Sequence, residues 1–219
     1  MTQKITVLEL FAGTGSFSRV AREMGFRTFT VDKDARFSPD LVADVLALKV
    51  ADLPPEFRNP SVVWASPPCQ GFSVMNFRRN WVKPGFPRSP KAREGLALLN
   101  RTVELLKELR PKYFFVENPR GMMRKFPFMA NYRRVTVNYC QYGFSYMKPT
   151  DIWTNCGAWV PRKPCRVGSS CHDRQPRGAK GKKVFSSGTG VQGLRDASER
   201  SVVPAELCAE ILGCVRGVL

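Results

Sequence analysis

Cys69 closes the run Ser66-Pro67-Pro68-Cys69, and two prolines ahead of a thiol fix the backbone and remove two N–H donors. The apolar stretch 61–65 before it reads as a buried strand. The thiol therefore stands at a strand's carboxyl end, where α/β enzymes place their ligands. Taken alone, the pattern also fits a buried, inert cysteine. His172 is the only histidine of the chain, so a Cys–His or Ser–His–Asp mechanism would have to run through it. Otherwise the thiolate must come from local positive charge, from helix or backbone dipoles, or from proton transfer to the substrate. Glu117-Asn118 ends another strand, read over 113–116, and supplies a carboxyl that a closed pocket can keep protonated. A nucleophilic sulfur facing a carboxylic acid defines a reaction. Sulfur adds to an electron-poor ring while the acid donates to a ring nitrogen.

A second group of residues suggests a cofactor. Gly13-Thr14-Gly15 follows an apolar strand at 5–11, a weak signal by itself because many folds use such turns. Ser18 stands where the third glycine of a dinucleotide fingerprint would be, which favours a cofactor without a pyrophosphate. Asp32, at the end of the strand 27–31, either accepts from ribose hydroxyls or is an ordinary turn residue.

The elements that must position these groups alternate. After the strand at 5–11 come a helix at 16–24, the strand at 27–31, a short apolar run ahead of Asp44, and the strand at 61–65. A loop rich in Gly, Pro, Arg and Phe spans 71–91. Leu96, Leu99, Val103 and Leu106 give helical spacing over 92–109, ended by Pro111. Strands follow at 113–116, 135–139 and 151–155, and a last helix at 204–214 carries Leu207, Ile211 and Leu212 on one face. This predicts an α/β fold, a mostly parallel sheet with helices on both faces. From 156 to 193 the chain turns to Gly, Ser, Pro, Lys and Arg, and a small irregular basic insert is expected there. The organisation predicted is a catalytic and cofactor-binding domain at 1–155, a recognition insert at 156–193, and a C-terminal segment at 194–219 packing back on the first.

Composition bounds the function. The 219 residues suffice for one domain with a full core, and 43% hydrophobic against 24% charged is ordinary for a globular chain. Thirty-five Lys and Arg face 18 Asp and Glu, a formal charge of +17, which draws a polyanion without separating DNA from RNA or a membrane surface. Residues 1–4 lead straight into an apolar strand with no signal-peptide pattern, and no apolar run nears the roughly 20 residues a membrane span needs. The seven cysteines are therefore expected free, in a reducing cell interior.

Three segments together resemble the C5-cytosine DNA methyltransferase family. They are Phe11-Ala12-Gly13-Thr14-Gly15, Ser66-Pro67-Pro68-Cys69-Gln70-Gly71-Phe72-Ser73, and Phe115-Val116-Glu117-Asn118, in the family's order and approximate spacing. The resemblance covers residues 5–155 and, more loosely, the last helix. It implies the Rossmann-like fold of S-adenosylmethionine-dependent methyltransferases, with S-adenosylmethionine as cofactor and double-stranded DNA as partner. It implies that Cys69 attacks C6 of cytosine, Glu117 holds and protonates N3, and Asn118 braces the Cys69 loop. Phe11, Gly13, Thr14 and Gly15 would line the methionine end of the cofactor, Asp32 the ribose, and Asp44 the adenine amino group. Pro67, Leu98 and Ser201 would complete that pocket, and Pro68 would touch the target base. Because C6 is stacked in a duplex, the base must swing out at a cost of a few kcal/mol. Gln70, Phe72, Ser73, Arg78, Arg79 and Lys83 would form a mobile lid on DNA, the alternative being a solvated basic loop.

Departures from the family are equally specific. The paired-arginine segment is replaced by Tyr146-Met147-Lys148-Pro149-Thr150-Asp151, so Lys148 is assigned one arginine's catalytic work, although lysine lacks the bidentate fork. Arg200-Ser201 is similar to the family's cofactor-closing segment with arginine for asparagine. The recognition insert is short. Its Arg162, Lys163, Arg166, Arg174 and Arg177, with Lys180, Lys182 and Lys183, suit phosphate contact. Cys156, Cys165, Cys171 and His172 form a candidate structural Zn²⁺ set, with free thiols as the alternative. The size suits a phage or other mobile element, acting in the cytoplasm of a bacterial or phage-infected host cell, with no membrane or obligate protein partner. Two other readings stay open: cytosine in RNA as substrate, and a DNA-binding derivative of the fold with Cys69 idle.

Overall fold

The structure, a computed structural model, describes residues 5–73, 77–173, 176–179, 182–185 and 197–219. Its centre is a seven-stranded sheet in the order β3-β2-β1-β4-β7-β9-β8. β1 (Thr6–Leu10), β2 (Arg27–Asp32), β3 (Leu41–Val42), β4 (Val62–Ala65) and β7 (Tyr113–Pro119) run parallel. β8 (Arg133–Asn138) and β9 (Pro149–Thr154) complete the sheet, with β9 antiparallel to both its neighbours. Strands buried on both faces read as unbroken apolar runs, which is why Val62-Val63-Trp64-Ala65 carries no alternation.

Helices cover both faces. α3 (Pro90–Leu109) lies on one, with Leu98, Leu99, Val103 and Leu106 packed against Leu8, Leu10, Val63 and Val116. It starts two residues before the sequence-predicted 92. Pro90 supplies a preset φ at the first turn, and Ser89 caps it by accepting from the Ala92 amide at 3.1 Å. α1 (Ser16–Glu23) and α5 (Ala205–Val218) cover the other face, where Phe17 stacks on Trp64 at 4.4 Å between ring centroids. Among the described residues no helix is long and apolar enough to cross a membrane.

The segment expected as a loop over 71–91 has its own structure: a short helix α2 (Phe77–Asn80) and a hairpin of β5 (Trp81–Lys83) and β6 (Phe86–Pro87). It is moored from inside. Trp81 is buried and donates its indole N–H to the Gly71 carbonyl at 2.7 Å, while Phe72 packs among Trp81, Phe126 and α3. Phe72 was expected on DNA. It is 1% exposed and belongs to the core, because aromatic burial outweighs whatever a loop-tip position would contribute. The core likewise continues past the composition change at 156, through Cys156 and Trp159. In the insert, β10 (Pro176–Ala179) and β11 (Lys182–Phe185) pair antiparallel where irregular chain was expected. α4 (Ala197–Ser201) then leads to α5.

One ion pair holds the edge of the sheet. Asp151 in β9 is wholly buried and takes both Nε (2.9 Å) and Nη2 (2.5 Å) of Arg124, plus the hydroxyl of Thr136 at 2.7 Å. Removing the cation strands a buried carboxylate. Arg124→Met is expected to cost about 3 kcal/mol in urea unfolding. Arg134→Met, an exposed arginine on the same strand pair, should stay within about 0.5 kcal/mol of the parent. Equal effects would show that the pair contributes nothing particular.

Candidate active site

The chemistry gathers where β4 and β7 end side by side. Their ladder runs to Ala65 opposite Val116; beyond it Ser66-Pro67-Pro68-Cys69 leaves the sheet, while Glu117 and Asn118 stay in β7, paired with Ile152 and Asp151 of β9, beside the departing loop. Asn118 is 1% exposed, and its Nδ2 donates to the Pro67 carbonyl at 2.8 Å. The indole of Trp64 donates to Ser66 Oγ at 2.9 Å, and the Phe72 amide closes a turn on the Cys69 carbonyl at 2.9 Å. The Cys69 side chain is thereby held at the wall of a cavity of about 1210 Å³ that Glu117 and Lys148 also line.

Glu117 is buried and accepts from the Tyr139 hydroxyl at 3.0 Å. Burial raises its pKa, opposed by the Lys148 charge and by hydrogen bonds from Tyr139 and Ser66. Burial also raises the Cys69 thiol, with the Glu117 charge adding to the rise, while Lys148 and Arg200 act against it. Lys148 is 4% exposed and is pushed the other way, down, by the same loss of water, against the pull of Glu117 and Cys69. Its ammonium donates to the Arg200 carbonyl at 2.7 Å and lies 4.6 Å from the centre of the Tyr139 ring.

The same cavity reaches the turn after β1, being lined by Phe11, Gly13, Thr14, Asp32, Asp44, Pro67, Leu98 and Ser201. Phe11 and Gly13 have positive φ (58° and 48°), an unusual state for phenylalanine that bends the chain sharply off the strand. Gly15 lies just outside the lining, at the start of α1, with φ 66°. Asp32 accepts from the Gly13 amide and, through its other oxygen, from the Asp34 amide, both at 2.8 Å. Asp44 accepts from the Leu46 amide at 2.9 Å. A Cβ built on Gly13 or Gly15 would meet nothing within 4 Å, so the turn leaves open space beside its amides.

Of the residues expected on DNA, Gln70, Ser73 and Arg79 line the cavity, whereas Arg78 and Lys83 are exposed beyond it. Lys83 rests 4.2 Å over the Phe86 ring. Arg162, also expected on DNA, reaches Glu206 (2.6 Å, Nη1) and Glu210 (3.1 Å, Nε) on α5 and stacks 4.6 Å over Tyr142, so its charge is paired on a helix while 43% of its side chain stays exposed. Lys163 and Arg166 are exposed. Arg174 and Lys180 lie outside the described residues; Arg177, Lys182 and Lys183 sit on β10 and β11, described by their backbone alone.

The metal set also needs correcting. Cys156 is wholly buried in the core beside Cys214, away from the other three. Cys140 takes its place, with ligand atoms of Cys140, Cys165, Cys171 and His172 all within 4.8 Å of one another. Sequence reasoning missed Cys140 because it continues a strand-like run. It also missed Glu9 and Tyr139, which read as core. Polar groups in apolar strands at the carboxyl edge were the available signal.

The family model for C-5 cytosine-specific DNA methylase matches residues 5–132, from β1 through the turns after β7. A frog virus 3 protein named "probable DNA (cytosine-5)-methyltransferase" is 33% identical over 94% of this chain and 98% of its own length. The chain belongs to the C-5 cytosine-specific DNA methylase family. A type II methyltransferase of Arthrospira platensis is 30% identical, but over 56% of this chain and 33% of its own. The solved structure of an Entamoeba histolytica methyltransferase covers 99% of both chains with a TM-score of 0.59 at 12% identity, a likeness of fold. The family's cofactor is S-adenosylmethionine, and the methylase match spans the cavity from Phe11 to Glu117.

Glu9, in β1 beside the cofactor turn, carries a testable consequence. It is 2% exposed and accepts from the Ser18 amide at 2.8 Å and the Phe17 amide at 3.4 Å, in the first turn of α1. Burial raises its pKa from 4.5 to about 7 despite those bonds. A carboxyl whose folded pKa is raised stabilises fully below its unfolded pKa and loses that contribution as pH climbs through the folded one. Against Glu9→Gln, the parent should therefore lose about 3 kcal/mol of unfolding free energy between about pH 4 and pH 8. Parallel pH curves would rule out the buried acid.

Proposed function

We propose that this methylase transfers a methyl group to carbon 5 of a cytosine turned out of duplex DNA, through a transient bond between Cys69 and C6. The observation carrying the reading is the convergence of Cys69, Glu117 and the glycine turn on one cavity. The open space beside Gly13 and Gly15 fits the cofactor. Asp32 keeps lone pairs for ribose hydroxyls while its oxygens hold Gly13 and Asp34. S-adenosylmethionine supplies an electrophilic methyl group, which C5 of the base takes.

In the proposed sequence, Glu117, kept protonated by burial, gives its proton to N3 as the Cys69 sulfur forms a bond to C6. The ring's electrons then move to C5. After C5 has gained the methyl group, it gives its proton to a water molecule, the C5–H electron pair forms the C5–C6 double bond, the Cys69–C6 bond breaks with its electrons returning to sulfur, and N3 returns its proton to Glu117. A thiol with a raised pKa rests protonated, but its anion, formed with Lys148 alongside, is the stronger nucleophile. Tyr139 and Asn118 keep the carboxyl and the Cys69 loop in place.

DNA is the polyanion for which the family and the charge of +17 speak together. In this reading Arg78 and Lys83, exposed beyond the cavity, and Arg79 at its wall meet phosphates, and the anchored hairpin around them serves as the lid. A structural metal ordering the basic insert belongs to the same reading.

Duplex DNA carrying 5-fluorocytosine blocks loss of the C5 substituent and should trap the parent enzyme covalently when S-adenosylmethionine is present. Cys69→Ala should form no adduct and transfer no methyl to ordinary DNA. Methylation confined to RNA would overturn the substrate, and an adduct surviving in the alanine variant would overturn the nucleophile.

A further inference from the structure

Cys140 sits in the turn directly after β8, while Cys165, Cys171 and His172 come from the insert. Their ligand atoms all lie within 4.8 Å of one another. Cys140 Sγ is 3.3 Å from Cys165 Sγ and 3.8 Å from Cys171 Sγ; His172 Nδ1 is 3.7 Å from Cys165 Sγ and 3.4 Å from Cys171 Sγ. A Zn²⁺ ion with bonds of about 2.3 Å to sulfur and about 2.0 Å to nitrogen requires edges of roughly 3.5–3.8 Å. The adjacent Cys171 and His172 both reach the same centre. Cys140 and His172 are buried, and Cys171 is exposed.

A second observation concerns the groups around the sulfurs. The Asn138 amide, 2% exposed, donates to Cys165 Sγ at 3.2 Å and to its carbonyl at 3.1 Å. The Gln141 amide donates to Cys171 Sγ at 3.2 Å. Two side-chain amides aimed at sulfur suit thiolates, the form a metal holds, and orient them as outer partners do in metal sites. Three thiolates and one imidazole in a closed tetrahedron select a structural Zn²⁺, with no position left for substrate.

We infer that Cys140, Cys165, Cys171 and His172 bind one structural Zn²⁺ that clips the basic insert to the turn after β8. The turn begins at Tyr139, which holds Glu117, and the hairpin β10–β11 starts shortly after His172. The Asp173 amide donates to the Ser145 carbonyl at 2.7 Å beside the clip. The ligand set stands on geometry alone; only its service to a DNA reader rests on the methyltransferase reading.

Full-length protein purified with reductant should carry one zinc per chain by elemental mass spectrometry. Cobalt exchanged for it should show thiolate charge-transfer and tetrahedral ligand-field bands. Cys171→Ser, at an exposed position, should lose the ion, and Cys156→Ala should keep it. Zinc-supplemented protein without stoichiometric metal would overturn the inference. So would a Cys140–Cys165 disulfide in the reduced preparation, or an ion lost with Cys156 but kept with Cys171→Ser. The 5-fluorocytosine adduct, read separately on the same samples, distinguishes failure of the metal site from failure of the methyltransferase reading.

Discussion

Two neighbouring strands can deliver a thiol and a carboxyl to one point only if they stay together past the end of their ladder. The prolines at 67 and 68 have no N–H to contribute, so backbone pairing cannot continue on that side. The bond from Asn118 Nδ2 to the Pro67 carbonyl replaces it with a side chain. The rigid loop that presents Cys69 and the strand end that presents Glu117 are thereby one unit. Everything else around the site adjusts that unit's surroundings: the aromatic mooring of Phe72 and Trp81 behind it, and Tyr139 beside the carboxyl.

The electrostatics follow from exclusion of water. Glu117 and Cys69 are raised and Lys148 is lowered, so burial drives all three toward their neutral forms. An arginine at the position of Lys148 would stay charged and hold its partners ionised. A buried lysine gives and takes a proton more readily, which links its charge to that of the acid and the thiol beside it. The charge of Lys148 is therefore tied to the protonation of Glu117 and Cys69, and the three titrate as one group.

The parts legible in the sequence were those fixed by local rules. Short β-rich runs followed by Gly, Pro or an acidic residue marked β1, β2, β4 and β7, and with them the positions of Phe11, Asp32, Cys69 and Glu117. What stayed hidden depended on distant partners. Phe72 looked like a loop residue until Trp81 and Phe126 surrounded it, and Arg162 looked like a phosphate ligand until Glu206 and Glu210, more than forty residues on, claimed its charge. Cys156 and Cys140 could not be told apart by composition. Only the sheet decides that one faces the core and the other the insert.

The commitment of Arg162 bears on how so small a chain can work. Arg162 and Trp159 both fasten α5 through Glu210. The segment ahead of α5 in turn closes the cavity, with Arg200, Ser201 and Val203 in its wall. The Val203 amide donates to Ser16 Oγ at 3.2 Å, at the start of α1, and the Arg200 carbonyl accepts from Lys148. The first residues of the insert therefore brace the wall that joins the cofactor turn to the catalytic pair. Trp159 and Arg162 on one side and the cavity wall on the other are thus moored to a single helix, so a shift of α5 would reach the cofactor turn and the catalytic pair together.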